Sequence, residues 1–286
     1  MTTPTRLTDT LWLLPSRAMR YNAGLLASGG QVWLIDPGPH PDETAAAADL
    51  AAGLGAIARI VLTHSHWDHI LGPERLPGAP TLAHELFAPT LERNSEGTLA
   101  MIARWEARHG YHQRAAPFRP PQVDAEARDG DTARLGELEL QLIHIPGHAA
   151  DQLAVFEPAS GALWAADTLS DAEIPFVSHS LAAYEAALAK LAALPIRALV
   201  PGHGAPSADP AEIRGRLDAD RRYLAELRAR VARVEEAVAA CADLVFREPA
   251  ENAGPHRLNV ESAYIELGGP ADPDRVGWSQ KGLIDE

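Results

Sequence analysis

The chain has 286 residues, 46% hydrophobic and 22% charged, a balance that fits a soluble globular protein with a large core in one large or two small domains. It carries 25 Lys and Arg against 39 Asp and Glu, and the formal charge of −14 argues against a nucleic-acid backbone or an anionic membrane as its main partner. The single cysteine, Cys241, excludes an intrachain disulfide framework and a cysteine-rich zinc site.

Met1 to Leu14 lacks a basic segment followed by a long apolar stretch, and no apolar run approaches the roughly 18 residues of a membrane span, so a cytoplasmic protein is expected. Two apolar runs, 22–28 and 31–36, flank Gly29-Gly30, a hairpin signal, and Pro37-Gly38-Pro39 stops the second. Asp42 to Leu54 is alanine-rich with acidic residues in its first turn and predicts a helix; Arg59 to Leu62 predicts a short buried strand. This order of strand, helix and strand is an α/β pattern. Residues 85–122 hold four prolines, several arginines and one helical stretch, Thr98 to His109. They read as an insertion over one face, either a pocket wall or a structural excursion. Glu137 to Ile145 alternates polar and apolar residues, the mark of a half-buried strand. Strands are further expected at 151–156, 161–166 and 196–200, with a helix over 180–194.

From Pro210 to about Cys241 apolar residues recur at spacings of three and four (Leu217, Leu224, Leu227, Val231, Val234, Val238), with one gap at Asp220. Such a stripe serves a long helix lying on the domain, or the seam of a homodimer. Leu258 to Leu267 predicts a short strand or helix, and the tail after Asp272 reads as frayed. The expected division is 1–208 as the α/β domain and 209–286 as a helical extension packed on it or continuous with it.

The chemistry concentrates in Thr63-His64-Ser65-His66-Trp67-Asp68-His69, with three histidines and an aspartate in six positions. His148 follows in Pro146-Gly147-His148, Asp167 in Ala166-Asp167-Thr168, and His203 in Pro201-Gly202-His203-Gly204, each just after an expected strand. A lone histidine is usually a surface or satisfied core residue, and His40, His84, His109, His112, His144 and His256 read that way. So does His179, although its place after the Asp167 segment also makes it a candidate for the substrate pocket. Imidazoles and carboxylates crowded together are different. Without a cation they would compete for few partners, so a metal site is expected. In an extended segment residues two apart point the same way, so His64, His66 and Asp68 should converge while His69 points elsewhere.

The run His64-Ser65-His66-Trp67-Asp68-His69 resembles the HxHxDH signature of the metallo-β-lactamase-fold superfamily. Leu34-Ile35-Asp36-Pro37-Gly38 resembles the strand and turn that precede the signature, and His148, Asp167 and His203 match the later motifs in the family's order. The resemblance spans about residues 10 to 206 and implies an αββα sandwich with the site at one edge. It further implies that His64, His66 and His148 hold one metal, that Asp68, His69 and His203 hold a second, and that Asp167 bridges both. Asp36 would lie beneath the cluster and orient a ligand histidine. Two Zn²⁺ ions fit this donor set best, with iron or manganese as alternatives. Diiron flavoprotein relatives carry a glutamate where this chain has His66.

The implied activity is a zinc-dependent hydrolase. A hydroxide bridging the metals attacks the ester, thioester, lactone or amide carbonyl of a small molecule, and Asp68 accepts or relays a proton. A bridging Asp167 argues against a dedicated β-lactamase. Thr168-Leu169-Ser170-Asp171-Ala172-Glu173 lacks the Gly-Cys-Gly-Arg-type stretch of glyoxalase II-like enzymes, which weakens a glutathione-thioester assignment. The tyrosine of homoserine-lactone hydrolases has its nearest counterpart in Tyr184. A mononuclear iron enzyme of the persulfide-dioxygenase type is the competing reading, and a non-enzymatic binding protein on the same scaffold is a weaker one.

Overall fold

Side-chain alternation decides the layering. In the strand Gln31–Ile35, Trp33 and Ile35 point one way, Val32 and Leu34 the other, and all four are buried, so this strand must be covered on both faces. The structure, a computed structural model, describes residues 3–110, 117–231, 241–244 and 247–268. Seven strands form the first sheet in sequential order: β1 (Thr5–Arg6), β2 (Leu11–Pro15), β3 (Asn22–Ser28), β4 (Gln31–Ile35), β5 (Ala56–Val61), β6 (Thr81–His84) and β7 (Ala125–Ala127). Strands β1 to β4 pair antiparallel and β4 to β7 parallel. The second sheet contains β8 (Asp131–Leu135), β9 (Leu138–His144), β10 (Leu153–Glu157), β11 (Ala162–Trp164) and β12 (Ala198–Val200), in the order β12-β11-β10-β9-β8. Only its last pair, β11 with β12, is parallel.

Three apolar clusters define four layers. Between the sheets, Trp33, Ile35 and Val61 meet Leu142, Val155 and Trp164. On the outer face of the first sheet, Leu34 and Ile60 pack with Ala47 and Ala51 of α1 (Pro41–Leu54) and with Ile102 and Trp105 of α3 (Ser95–His109), which follows the short α2 (Phe87–Arg93). On the outer face of the second, Ile143, Ala154 and Leu163 pack with Leu188 of α4 (Leu181–Ala192), Leu224 of α5 (Pro210–Val231) and Val260 of α6 (Pro249–Glu266). This is the αββα sandwich that the resemblance implied, and its last two helices share a core with the second sheet. Gly29 and Gly30, with φ of 58° and 73°, make the β3–β4 turn, a left-handed pair that suits a tight hairpin. Gly24 leaves room for the ring of Trp164, which any Cβ there would strike.

Some expectations need correction. Residues 85–122 hold two helices, not one: Pro89 lies in the first turn of α2, where a missing N–H breaks no helical hydrogen bond. Residues 111–116 of that stretch lie outside the described residues. The segment 258–267 is resolved as helix, the second half of α6. In α5, Leu217, Leu224, Leu227 and Val231 are buried in the chain's own core, and the gap at Asp220 is occupied by a buried ion pair with Arg247 at 2.7 Å. Val234, Val238 and the tail after Asp272 lie outside the described residues. No described helix is long and apolar enough to cross a membrane.

Candidate metal centre

The candidate residues all sit on loops at strand ends. Asp36 follows β4, residues 63–69 follow β5, His148 follows β9, Asp167 follows β11 and His203 follows β12. The backbone there is strained. Of six described non-glycine residues with left-handed φ, five border this edge: Met19, Arg20, Asp36, Ala166 and Leu169. Such conformations persist where surrounding contacts hold them, and they gather at functional sites.

The loops bring seven side chains into two groups: His64, His66, His148 and Asp167, and Asp68, His69 and His203. Within each group the candidate ligand atoms lie within 4.8 Å of one another. Asp167 faces both. Its Oδ2 is 3.3 Å from His148 Nε2, 3.7 Å from His64 Nε2 and 3.6 Å from His203 Nε2, while its Oδ1 is 3.4 Å from His69 Nε2. Asp68 Oδ2 lies 3.1 Å from His203 Nε2 and 3.5 Å from His69 Nε2. The simple alternation expected of this segment therefore holds for His64 and His66 and fails at Asp68. A 3₁₀ turn over Trp67–His69 places Asp68 and His69 side by side.

Hydrogen bonds on the outer side fix which nitrogen faces inward. His203 Nδ1 donates to the Met19 carbonyl (2.9 Å) and His148 Nδ1 to the Phe176 carbonyl (3.0 Å). His69 Nδ1 donates to Asp36 Oδ2 (2.9 Å), whose carboxylate also accepts from the Thr63 N–H (2.8 Å) and hydroxyl (2.6 Å). With its proton given to Asp36, the Thr63 hydroxyl accepts from His64 Nδ1 at 3.1 Å. Four histidines thus turn Nε2 inward, and that of His203 donates to Asp68 Oδ2 at 3.1 Å. His66 enters by Nδ1, which is 2.9 Å from His148 Nε2. His64 Nε2, His69 Nε2 and Asp167 Oδ1 are buried with no hydrogen-bond partner. Lone pairs that converge in this way, with carboxylates between them, fit divalent cations.

The charges support the same reading. Burial pushes His64 well below its ordinary value and His66 down to about 3, leaving neutral donors. Burial also opposes charge on His69 and His203. On His69 the carboxylates of Asp167, Asp68 and Asp36 outweigh burial and hold the imidazole well above its ordinary value. On His203, Glu173, Asp167 and Asp68 carry it up to about 10. Asp167 is held well below the carboxylate range, against the effect of burial, by His69, His203 and His64. The centre thus calls strongly for positive charge.

His179 is exposed, and its electrostatic neighbours are His144, Arg93 and Glu266 rather than any of the seven. Its segment reaches the centre through Phe176, whose ring lies 5.6 Å from that of His148. Four residues near the site had no role assigned from the sequence: Tyr21, whose ring meets that of His69 tilted at 5.1 Å and that of His203 edge-on at 5.4 Å, and Met19, Asp171 and Glu173. Within the 85–122 stretch, Trp105 of α3 packs 5.2 Å from Trp67, so this stretch buttresses the turn that carries Asp68 and His69.

The family model of the metallo-beta-lactamase superfamily matches residues 17–203. A hydroxyacylglutathione hydrolase of Jannaschia sp. is 34% identical over 127 residues, 43% of this chain and 40% of that protein. One from Xanthomonas euvesicatoria is 31% identical over 160 residues, 54% of this chain and 49% of that protein. The chain thus spans less than half the length of these two relatives. A metallo-beta-lactamase family protein from Thermus thermophilus superposes with a TM-score of 0.68 at 27% identity, covering 94% of this chain and 98% of the other. The sec-alkylsulfatase Pisa1 from Pseudomonas sp. shares the fold, with a TM-score of 0.70 at 17% identity over 96% of this chain and 51% of its own.

Proposed function

We propose that this chain, which belongs to the metallo-beta-lactamase superfamily, is a two-metal hydrolase of a small molecule with a thioester, ester, lactone or amide bond. The observation that carries the reading is Asp167, whose two oxygens face both ligand groups. His64, His66 and His148 would hold one ion, Asp68, His69 and His203 the other, with Asp167 between them. The nitrogen-rich donor set suits zinc best, with iron or manganese as alternatives. When bound, such ions polarise a carbonyl and lower the pKa of a water to about 7.

The protein's own part is orientation and proton handling. Asp36, Thr63 and the carbonyls of Met19 and Phe176 lock the imidazoles in the required tautomers. Asp68, with a tenth of its side chain exposed, would accept or relay a proton. Two relatives are hydroxyacylglutathione hydrolases, so a thioester is the first bond to test. The stretch after Asp167 lacks the Gly-Cys-Gly-Arg-type segment, which weakened that assignment, and it sets Glu173, with its side chain 45% exposed, 3.8 Å from His203. The Glu173 carboxylate disfavours an anionic thiol arm such as that of glutathione, so the reading is a thioesterase for a neutral or cationic substrate.

Metal quantification followed by a hydrolysis screen tests this. The expected result is two zinc ions per chain and turnover fastest on thioesters among thioester, ester, lactone, β-lactam and phosphodiester substrates. A single iron, with oxygen uptake on a persulfide and no hydrolysis, would replace the reading with the dioxygenase one.

A further inference from the structure

The loop that carries His203 is held from outside its own strand. Gly204 N–H donates to the Arg20 carbonyl (2.9 Å), and Asn22 N–H donates to the Gly202 carbonyl (2.7 Å). Asn22 Nδ2 donates to the carbonyls of Pro201 (2.8 Å) and Gly204 (2.7 Å). The Met19 carbonyl, which orients His203, comes from a hairpin whose residues 19 and 20 are both left-handed, with φ of 54° and 47°. Two adjacent non-glycine residues in that region need something to hold them. Asp171 is the holder in reach. Its Oδ2 accepts from Arg20 Nη2 at 2.7 Å, and its Oδ1 accepts from the Ala205 N–H at 2.6 Å, two residues past His203. One carboxylate therefore fixes both the histidine's loop and the hairpin that supplies its acceptor. The histidines of the other group do not use this hairpin: the outer partner of His64 is Thr63, and that of His148 is Phe176.

We propose that Asp171 and Arg20 are positioning residues for the second metal alone, acting through His203 and the Met19 carbonyl. The inference rests on the two-metal reading. It assigns the 151-residue separation between Arg20 and Asp171 a purpose: tying the loops after β11 and β12 to the β2–β3 hairpin.

Full-length wild type, Asp171→Ala, Asp171→Asn and Arg20→Ala are stripped of metal and titrated with zinc against a chromophoric chelator, and the metal-free chains are melted. In Asp171→Ala the second zinc weakens about ten- to a hundredfold, the scale usual for partners behind a metal ligand, and the first is unchanged. Asp171→Asn keeps an acceptor for Ala205 and loses the charge that holds Arg20, so it falls between wild type and alanine. Arg20→Ala weakens the second zinc in the same sense and decides the matter if Asp171→Ala does not fold. Wild type binding fewer than two zinc ions would remove the two-metal reading itself. Two unchanged affinities in both Asp171→Ala and Arg20→Ala would overturn the lock. So would equal weakening of both ions together with a lowered melting temperature, the mark of a purely structural role.

Discussion

Two buried polar clusters in this molecule look alike by composition and differ in kind. The metal centre gathers histidines and carboxylates whose inward atoms, His64 Nε2, His69 Nε2 and Asp167 Oδ1, find no partner in the protein. The cluster between α5 and α6 gathers Tyr223, His256, Asn252 and Asn259, and closes on itself. His256 Nδ1 pairs with the Tyr223 hydroxyl (2.8 Å), and its Nε2 donates to the Cys241 carbonyl (2.7 Å). Asn259 accepts from the Val177 N–H (2.7 Å) and donates to the Pro175 carbonyl (2.6 Å) and Tyr223 Oη (2.8 Å). Asn252 accepts from the Ile174 N–H and donates to the Ala172 carbonyl, both at 3.0 Å. Unmet hydrogen-bonding capacity, rather than polar density, separates these two clusters. The closed cluster also serves the open one. Its two asparagines grip the backbone from 172 to 177, and the Phe176 carbonyl in that segment orients His148.

The largest expected effect breaks the open cluster. Asp167→Ala removes the carboxylate that faces both groups. It should lower kcat/KM by roughly a thousandfold or more and leave fewer than two metals per chain, with the fold retained by circular dichroism. Full activity at normal metal content would show that Asp167 does not join the two groups.

The next effect separates the clusters by stability. Asn259→Ala leaves the Val177 N–H and the Pro175 carbonyl unpaired in a buried place, which should cost about 2–3 kcal/mol in the metal-free chain, read by denaturant unfolding. His66→Ala removes a side chain whose only hydrogen bond among the described contacts is to His148. It should cost less than about 1 kcal/mol in the metal-free chain while abolishing tight binding of one metal. Equal losses of stability in the two variants would erase the distinction between an open and a closed cluster.

Much of this was legible in the sequence, for a physical reason. Metal ligation demands particular side chains at short spacing, so His64 to His69, His148, Asp167 and His203 stand out. The β3–β4 hairpin and the alternation of β9 were equally open to reading, because turn chemistry and a period of two are local. What stayed hidden is non-local or carried by the backbone. Strands β6 and β7 are four and three residues long, and pairing with neighbours far along the chain is what makes them strands. Met19 and Phe176 act through carbonyl groups, which every residue has, so no residue type announces them. The gap at Asp220 in the α5 stripe could be seen but not explained without Arg247, 27 positions later, as its partner.

The smallest effect sharpens the comparison with a third pair of histidines. His84 and His144 stack with centroids 3.8 Å apart and planes 14° from parallel. Glu85 and Asp129 are near enough to favour charge on them, but among the described contacts no carboxylate pairs with either ring. His144 Nε2 donates to the Ala150 carbonyl at 2.8 Å, and His84 Nδ1 accepts from the Leu86 N–H at 3.2 Å. These bonds suit neutral rings. Burial, and then His144, lower His84 from the ordinary 6.5 to about 4. A depressed folded-state value means that the unfolded chain binds the proton first as pH falls. The stability contributed by neutral His84 is therefore complete above 6.5 and is lost progressively as pH falls toward 4. His84→Asn keeps an acceptor for Leu86 and removes the titration. Melting temperatures of zinc-saturated wild type should drop more steeply between pH 7 and 5 than those of His84→Asn. Parallel slopes would mean that His84 takes up its proton without opposition from the fold, and that the stack is not the closed, neutral pair its geometry describes.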